Sequence, residues 1–171
     1  MPGLSKELTP CRSVTVEEIR TAPVRFTNSV DLTTSPERLF EVLADASAWP
    51  RWAKAITRVE WTSPGADRGD IGVGTTRTVH MRGGIVGEEE FLLWDPPRAM
   101  AFCFTATNAP GQEAFGELYE VEPTATGCRL TWTLAMWPTG AQRWSVRLGR
   151  PVLDQTFAWF LRRLRALTAQ G

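Results

Sequence analysis

The chain has 171 residues, of which 43% are hydrophobic and 22% are charged, the usual balance of one soluble globular domain. Nineteen basic and nineteen acidic residues leave a formal net charge of +0, which argues against a protein whose main partner is nucleic acid. No stretch approaches roughly eighteen uninterrupted apolar residues, so no membrane span is predicted.

The cysteines and the histidine limit the chemistry further. Cys11, Cys103 and Cys128 are an odd number without a CxxC pair, which argues against a secreted disulfide framework. His80 is the single histidine, so a zinc site is poorly supplied with ligands. The first twenty residues are too polar for a signal peptide, and phosphate-binding loops are absent. We therefore expect a cytoplasmic protein with no metal and no cofactor.

The first predicted elements follow an N-terminal segment without clear periodicity. We interpret residues 1–22 as an extension that either packs on the following domain, residues 23–171, or frays. From Val24 to Leu32 apolar and polar residues alternate, which predicts a strand with one buried face. Ser35 can cap a helix whose first residue is Pro36.

Proline and turn residues divide the rest of the chain. The first helix should end before Trp49-Pro50, because the residue before proline avoids the helical region, and a second short helix or turn is predicted through Trp52. Six strands separated by Gly- and Pro-containing turns then predict an antiparallel meander. They are Ile56–Thr62, Thr75–Arg82, Val86–Trp94, Ala99–Ala106, Phe115–Glu122 and Cys128–Trp137.

A long amphipathic helix closes the chain. Leu153, Phe157, Phe160, Leu164 and Leu167 recur at spacings of three and four residues, which places them on one side of a helix. Pro151 either lies just inside the start of this helix or kinks a longer helix that begins near Gln142. A long helix facing a bent antiparallel sheet of about seven strands is an α+β arrangement.

Several short motifs appear in an order that resembles one superfamily. The sequence is similar to the polyketide cyclase/dehydrase branch of the START and Bet v 1-like (SRPBCC) superfamily over about residues 24–168. The motifs that carry the resemblance are Ser35–Phe40, Asp45 leading to Trp49–Trp52, Gly72–Thr75, Trp94–Arg98, and Gly127 before Arg129–Thr133.

The resemblance implies a helix-grip fold, with two short helices after the first strand and a curved sheet wrapped around the C-terminal helix. It also implies a deep apolar cavity between sheet and helix. Members of the superfamily include lipid carriers, binders of hormones and secondary metabolites, aromatase/cyclases and chaperone activators, so the fold does not determine the activity.

In that architecture, alternation and helix spacing select the residues that would face the cavity. Most of them would form the core, and a subset would line a pocket for a flat or long apolar ligand. The candidates for ligand binding are Phe26, Trp61, Met100, Phe102, Phe104, Tyr119, Trp132, Leu134, Phe157, Trp159 and Phe160.

Four polar residues are candidates for proton transfer. Histidine can both donate and accept a proton, which makes His80 a candidate, but it alternates with Val79 and Met81, which indicates the outer face of its strand. The Tyr119 hydroxyl would either bond a ligand carbonyl or bond a backbone carbonyl in the core.

Glu117 shares the inward side with Tyr119, where an unpaired carboxylate is costly. It would therefore lie near a rim, pair with an arginine such as Arg77, or have a raised pKa. In the run Glu88-Glu89-Glu90, at least one side chain must face inward.

Three functions remain open at this point. The first is a carrier or binding module for a hydrophobic small molecule such as a polyketide, lipid or isoprenoid. The second is an aromatase/cyclase or dehydrase that uses Tyr119, Glu117, Arg77 and His80. The third is a protein-interaction module, which would have a filled core and an exposed apolar patch. Either a monomer or a homodimer is compatible with the sequence, and no nucleic-acid partner is expected.

Overall fold

An antiparallel sheet wrapped around one long helix forms the fold in the computed structural model, which describes residues 7–169. In chain order the helices and strands are β1 (Thr9–Pro10), α1 (Val16–Thr21), β2 (Val24–Leu32), α2 (Pro36–Ala44), α3 (Trp49–Trp52), β3 (Ile56–Trp61), β4 (Thr76–Met81), β5 (Val86–Asp95), β6 (Ala99–Thr107), β7 (Gln112–Thr124), β8 (Gly127–Pro138) and α4 (Gln142–Thr168). The strand order in the sheet is β2-β8-β7-β6-β5-β4-β3, and the two-residue β1 pairs with β6. The predicted helix-grip fold is confirmed.

The two short helices form where the sequence predicts them. The Ser35 hydroxyl accepts a 3.2 Å hydrogen bond from the Arg38 N–H, so it caps α2 with Pro36 in the first turn. α2 ends at Ala44, well before Trp49-Pro50, and α3 then begins at Trp49 with its proline in the first turn. α3 packs against α4 and β3, and α2 contacts β7.

Irregular pairing bends the sheet. Register shifts interrupt the β5–β6 ladder between Glu88 and Glu89 and again between Phe91 and Leu93. Further shifts occur in β3 beside β4 and in β7 beside β8. Because a bulge inserts an unpaired residue and increases local twist, these shifts curve the sheet towards α4. The concave face holds the main core.

The sequence left two possible starts for the C-terminal helix, near Pro151 or near Gln142, and α4 has the earlier start. It runs unbroken from Gln142 to Thr168 with Pro151 inside it. Its buried side includes Phe160 and Leu164, and the ring of Phe157 packs edge-on against Phe26 of β2 at 5.3 Å between ring centres. No helix among the described residues is long and apolar enough to cross a membrane.

The N-terminal segment has more structure than its sequence predicts. Thr15 and Glu18 form a reciprocal capping box that starts α1. Ile19 of α1 is fully buried on the convex side of the sheet, where it lies against Gly116 of β7. Residues 9–22 therefore pack on the domain, whereas residues 1–6 of the predicted extension lie outside the described part of the chain.

Small side chains on the outer faces of β6, β7 and β8 make room for α1. A Cβ at Gly116 would lie 2.8 Å from the Cδ1 of Ile19, so this position accepts the helix because it lacks a side chain. The second, convex core contains Val14, Ile19, Ala22, Ala101, Cys103, Ala114, Leu118 and Ala135. The Thr15–Glu18 capping box was the sequence signal for α1. Sequence analysis missed this helix because the segment shows no clear periodicity.

Candidate functional site

A cavity of about 150 Å³ lies between the concave face of the sheet, α3 and α4. Its wall is almost entirely apolar, with acidic side chains from β5 and β7. The lining residues are Trp49, Trp52, Ala53, Ala55, Ile56, Val79, Met81, Glu89, Phe104, Phe115, Glu117, Tyr119, Trp132, Leu134, Phe157 and Phe160. An enclosed apolar space with a few polar groups is the usual form of a small-molecule site.

Six of the predicted ligand-binding residues line this cavity. They are Phe104, Tyr119, Trp132, Leu134, Phe157 and Phe160. Phe26, Met100 and Phe102 are buried in the surrounding core without lining it, and Trp61 packs partly buried against Phe91. For these four residues the strand alternation gave the correct side, but the cavity occupies only part of the concave face.

The prediction that Trp159 faces the cavity is wrong. Its side chain is 41% exposed, and the guanidinium of Arg163 lies 5.3 Å from the centre of one of its rings. The neighbouring residue Phe160 is 5% exposed and occupies the inward side instead. Successive helix positions differ by about 100°, and the buried side of α4 includes Phe160, Leu161 and Leu164, which leaves Trp159 on the exposed side.

Sequence reasoning missed the contribution of α3. Trp49 and Trp52, which are 1% and 0% exposed, form part of the cavity wall with their ring centres 5.0 Å apart. Their spacing of three residues places both indoles on one side of the short helix. The Trp49–Trp52 motif supported the family resemblance, and this spacing was also a signal for an aromatic wall.

Glu117 lies at the centre of a hydrogen-bonded group on the cavity wall. Its Oε2 accepts a 2.6 Å hydrogen bond from the Tyr119 hydroxyl and a 2.8 Å hydrogen bond from the indole N–H of Trp132. Its Oε1 receives no hydrogen bond from the described residues. Tyr119 stacks between Phe102 and Trp132, with ring centres at 6.0 and 5.8 Å, which fixes the direction of its hydroxyl.

The surroundings make Glu117 a weaker acid than an exposed glutamate. Burial raises its pKa to about 7, and the charge of nearby Glu89 acts in the same direction. The hydrogen bonds from Tyr119 and Trp132, together with the charge of Arg77, oppose this rise. Burial also raises the pKa of Tyr119 well above its usual value, so its hydroxyl remains a donor at neutral pH. Of the three environments predicted for Glu117, the structure supports the raised pKa.

Arg77 does not pair with Glu117 but with Glu89 on the next strand. Its Nε donates a 2.5 Å hydrogen bond to Oε2 of Glu89, and the two side chains are 1% and 4% exposed. Burial raises the pKa of Glu89, and the ion pair with Arg77 opposes this shift. Glu89 is the inward member of the acidic run, as the alternation of a strand requires.

The guanidinium of Arg77 is enclosed by aromatic rings. Its central carbon lies at 4.4 Å from the ring centres of Trp49 and Phe102, 5.1 Å from Phe91 and 5.7 Å from Trp61. Both terminal nitrogens are buried without a hydrogen-bond acceptor among the described residues. Ring faces attract a cation, so these contacts partly compensate the missing acceptors.

His80 lies outside this group. It faces away from the cavity on β4, where its Nε2 is 3.0 Å from Glu60 Oε2 and 3.1 Å from a guanidinium nitrogen of Arg58. The structure therefore brings three of the four proton-transfer candidates, Arg77, Glu117 and Tyr119, to the concave side. Among the described residues, no cluster of His, Cys, Asp and Glu could hold a metal ion.

Chemically, the site can hold an apolar molecule and exchange one proton with it. Glu117 supplies a free carboxylate oxygen and a pKa of about 7, and the buried indole N–H of Trp52 has no acceptor among the described residues. A curved antiparallel sheet with such a cavity between it and a long C-terminal helix defines the class of protein: it has a helix-grip fold.

Comparison with known proteins identifies the family within that class. The chain belongs to the polyketide cyclase/dehydrase and lipid transport family, which matches residues 23–168. An uncharacterized protein of Mycobacterium tuberculosis (strain H37Rv) is 50% identical over 159 residues, covering 93% of each chain. An uncharacterized protein of Mycobacterium bovis matches with the same identity and coverage.

Solved structures share the fold at low sequence identity. A protein of Thermus thermophilus superposes with a TM-score of 0.66 at 17% identity, covering 86% of this chain and 100% of that one. Ara h 8.0201 gives 0.64 at 13% identity, covering 86% and 99%. Aha1 of Colwellia psychrerythraea, solved as a dimer, gives 0.61 at 17% identity, covering 85% and 96%. These likenesses show the helix-grip fold alone.

Proposed function

We propose that the protein binds a hydrophobic small molecule in the cavity between the sheet and α4. The observation that carries this proposal is the apolar cavity with the Glu117–Tyr119 hydrogen bond on its wall. Burying an apolar ligand there removes its surface from water, and a small number of polar groups then set its orientation.

The size of the cavity favours a compact ligand. Its volume is about 150 Å³, below the range of roughly 300–1,000 Å³ that drug-sized ligands occupy. A cavity of this order accommodates a single aromatic ring. A longer polyketide or lipid would require α3 or α4 to move away from the sheet. In that case the structure described above would be the ligand-free state of a carrier.

The polar atoms favour a ligand with an oxygen at one end. The Trp52 indole N–H can donate to a carbonyl or hydroxyl oxygen, since it has no acceptor among the described residues. Oε1 of Glu117 can accept from a hydroxyl group when the carboxyl is ionised. A phenol, an enol or a β-dicarbonyl compound has both an apolar body and such an oxygen.

Native mass spectrometry compared with the denatured mass tests whether the purified protein carries a ligand. A direct binding test uses phenol, whose binding should change the fluorescence of the three tryptophans that line the cavity. Phe157→Ala removes one wall and should weaken phenol binding at least about tenfold, because about 2 kcal/mol of contact is lost. Trp159→Ala, two residues away on the exposed side, is the matched control and should bind normally. Equal binding by both variants would contradict this site.

A second candidate function is a polyketide cyclase or dehydrase, favoured by the pKa of Glu117. A carboxyl group with a pKa of about 7 is partly ionised at neutral pH and can act as base and acid in turn. It would remove a proton from a methylene between two carbonyls, and the resulting enolate would form a carbon–carbon bond to the carbon of a third carbonyl in the same molecule. The alkoxide formed there would take the proton back from the Glu117 carboxyl. Subsequent loss of water would complete a dehydration.

Turnover of a surrogate that carries a β-diketone and a third carbonyl group distinguishes this enzyme from a carrier. Glu117→Gln keeps the shape of the side chain but cannot accept the proton, so turnover should fall at least about a hundredfold. Phenol binding by the same variant should persist. His80→Ala, on the outer face, should leave turnover unchanged. Absence of turnover with intact binding would leave the carrier function and exclude catalysis on this substrate class.

A further inference from the structure

α4 has two apolar sides, and only one of them is buried. Trp144, Leu148, Val152 and Trp159 are 65%, 80%, 69% and 41% exposed, and their spacings of four, four and seven residues place them on one side of the helix. We call these four residues the apolar stripe. The opposite side, which faces the sheet, carries the buried residues Val146, Phe160, Leu161 and Leu164.

The apolar stripe is unusual for a solvent-facing helix surface. Within the described residues, five large apolar side chains are exposed, and four of them belong to the stripe, with Val73 as the fifth. Single exposed apolar residues are ordinary, but a contiguous row marks an interaction surface. The stripe has no function in the cavity, because it points away from it.

A groove lined by arginines lies beside the N-terminal half of the stripe. By helical spacing, Arg147 is next to the stripe, with its guanidinium 6.0 Å from the centre of a Trp144 ring, whereas Arg143 and Arg150 lie further round α4 towards the side that faces the sheet. The three arginines line a groove of about 550 Å³ together with Pro23, Val24, Glu113, Trp137, Pro138 and Val146. Glu113 in that groove already bonds Arg12. Arg143 and Arg147 form no salt bridge with a described residue, and the nearest atoms of the Arg150–Asp154 pair are 3.8 Å apart.

Basic residues also border the C-terminal end. The guanidinium of Arg163 lies 5.3 Å from the centre of a Trp159 ring. A second groove, of about 310 Å³, is lined by Arg51, Lys54, Arg163, Ala166 and Leu167, with no acidic side chain. The apolar stripe therefore runs between two basic grooves although the chain as a whole has a formal net charge of +0.

We propose that the apolar stripe docks on an anionic lipid surface. Tryptophan and leucine side chains enter the boundary between headgroups and acyl chains, while arginines beside them bind lipid phosphates. The two basic grooves supply those phosphate contacts at both ends of the stripe. A second copy of the chain fits less well, because a two-fold axis through the stripe brings the same arginines towards each other. This proposal does not depend on what the cavity binds.

Flotation with vesicles tests the proposal. The protein should float with vesicles of phosphatidylcholine containing about one third phosphatidylglycerol, and much less with phosphatidylcholine alone. Leu148→Asp should lower the partition coefficient at least about tenfold, since an apolar contact is lost and a like charge faces the lipid. Arg147→Gln should lower it about fivefold, as expected for one cationic group near an anionic surface. Val73→Asp is the matched control, because Val73 is 72% exposed and outside α4.

Three results would overturn the proposal. The first is that wild-type protein does not float with anionic vesicles. The second is that Leu148→Asp and Val73→Asp float equally well. The third is a dimer in sedimentation velocity that Leu148→Asp dissociates, which would assign the stripe to contact between copies of the chain. Both aspartate substitutions are at exposed positions, so thermal unfolding should show that both variants fold.

Discussion

The hydroxyl of Tyr119 donates a 2.6 Å hydrogen bond to Glu117, two residues earlier on the same face of β7. The pleat of a strand places residues i and i+2 side by side, so this contact follows directly from the local structure. Trp132, opposite Tyr119 on β8, donates to the same oxygen. Tyr119 and Trp132, on neighbouring strands, thus hold the carboxyl group of Glu117 at the cavity wall.

The raised pKa of Glu117 makes stability depend on pH. A carboxyl group with a pKa of about 7 in the folded state and 4.5 in the unfolded state binds its proton more tightly when folded. The free energy of unfolding should therefore fall as the pH rises from about 4.5 to above 7, by up to about 3 kcal/mol. Urea denaturation across this range should show a clearly smaller fall in Glu117→Gln than in wild type, and the remainder is expected from Glu89, whose pKa burial also raises.

Glu122→Gln is the control for that experiment, because Glu122 is an exposed glutamate on the same strand. This variant should retain the pH dependence of the wild type. If Glu117→Gln also retained it, Glu117 would titrate near its ordinary value and could not act as an acid and base near neutrality.

Because Arg77 and Glu89 form a buried ion pair, we expect the loss of Arg77 alone to lower the free energy of unfolding more than the loss of both charges. Arg77→Met alone leaves the Glu89 carboxylate buried without its cation, and this should cost about 3–5 kcal/mol in the free energy of unfolding. Arg77→Met combined with Glu89→Leu removes both charges and should be less destabilising than Arg77→Met. Urea denaturation of the four proteins measures the coupling. Additive losses would mean that the two side chains do not interact energetically.

Docking of α1 depends on the missing side chain of Gly116. Gly116→Ala places a methyl group 2.8 Å from the Cδ1 of Ile19, and the displacement of this buried side chain should cost about 1–2 kcal/mol. Ile19→Ala should cost about 2–4 kcal/mol by leaving a cavity. In the double variant the alanine at 116 partly fills that space, so its loss should be smaller than the sum. A full sum from thermal or urea unfolding would contradict the direct contact.

Gly87 controls the position of a cavity-lining ring. A Cβ at Gly87 would lie 2.7 Å from two atoms of the Phe104 ring, which stacks on Phe115 with ring centres 4.3 Å apart. Gly87→Ala should push the Phe104 ring into the cavity and weaken phenol binding. Gly72→Ala is the control, since a Cβ at Gly72 meets no atom within 4 Å and binding should be unchanged. Tight binding by Gly87→Ala would show that the ligand does not contact Phe104.

Local signals in the sequence were sufficient for the elements of the domain. Alternation predicted β2 between Val24 and Leu32, and Ser35 with Pro36 predicted the start of α2. Such features depend on residues that are neighbours in the chain, so they can be recognised without the fold. The strand ends are less exact: β7 begins at Gln112 instead of Phe115, because pairing with β8 extends it beyond its alternating part.

The sequence by itself determined that one face of each strand is apolar and that Tyr119 and Glu117 share such a face. Only the tertiary structure decided that Glu89, and not Glu117, pairs with Arg77, since the register of β4 beside β5 places Arg77 directly opposite Glu89. It also decided that Trp159 faces solvent. The physical reason is that local periodicity gives the direction of a side chain, whereas its partners depend on the packing of distant segments.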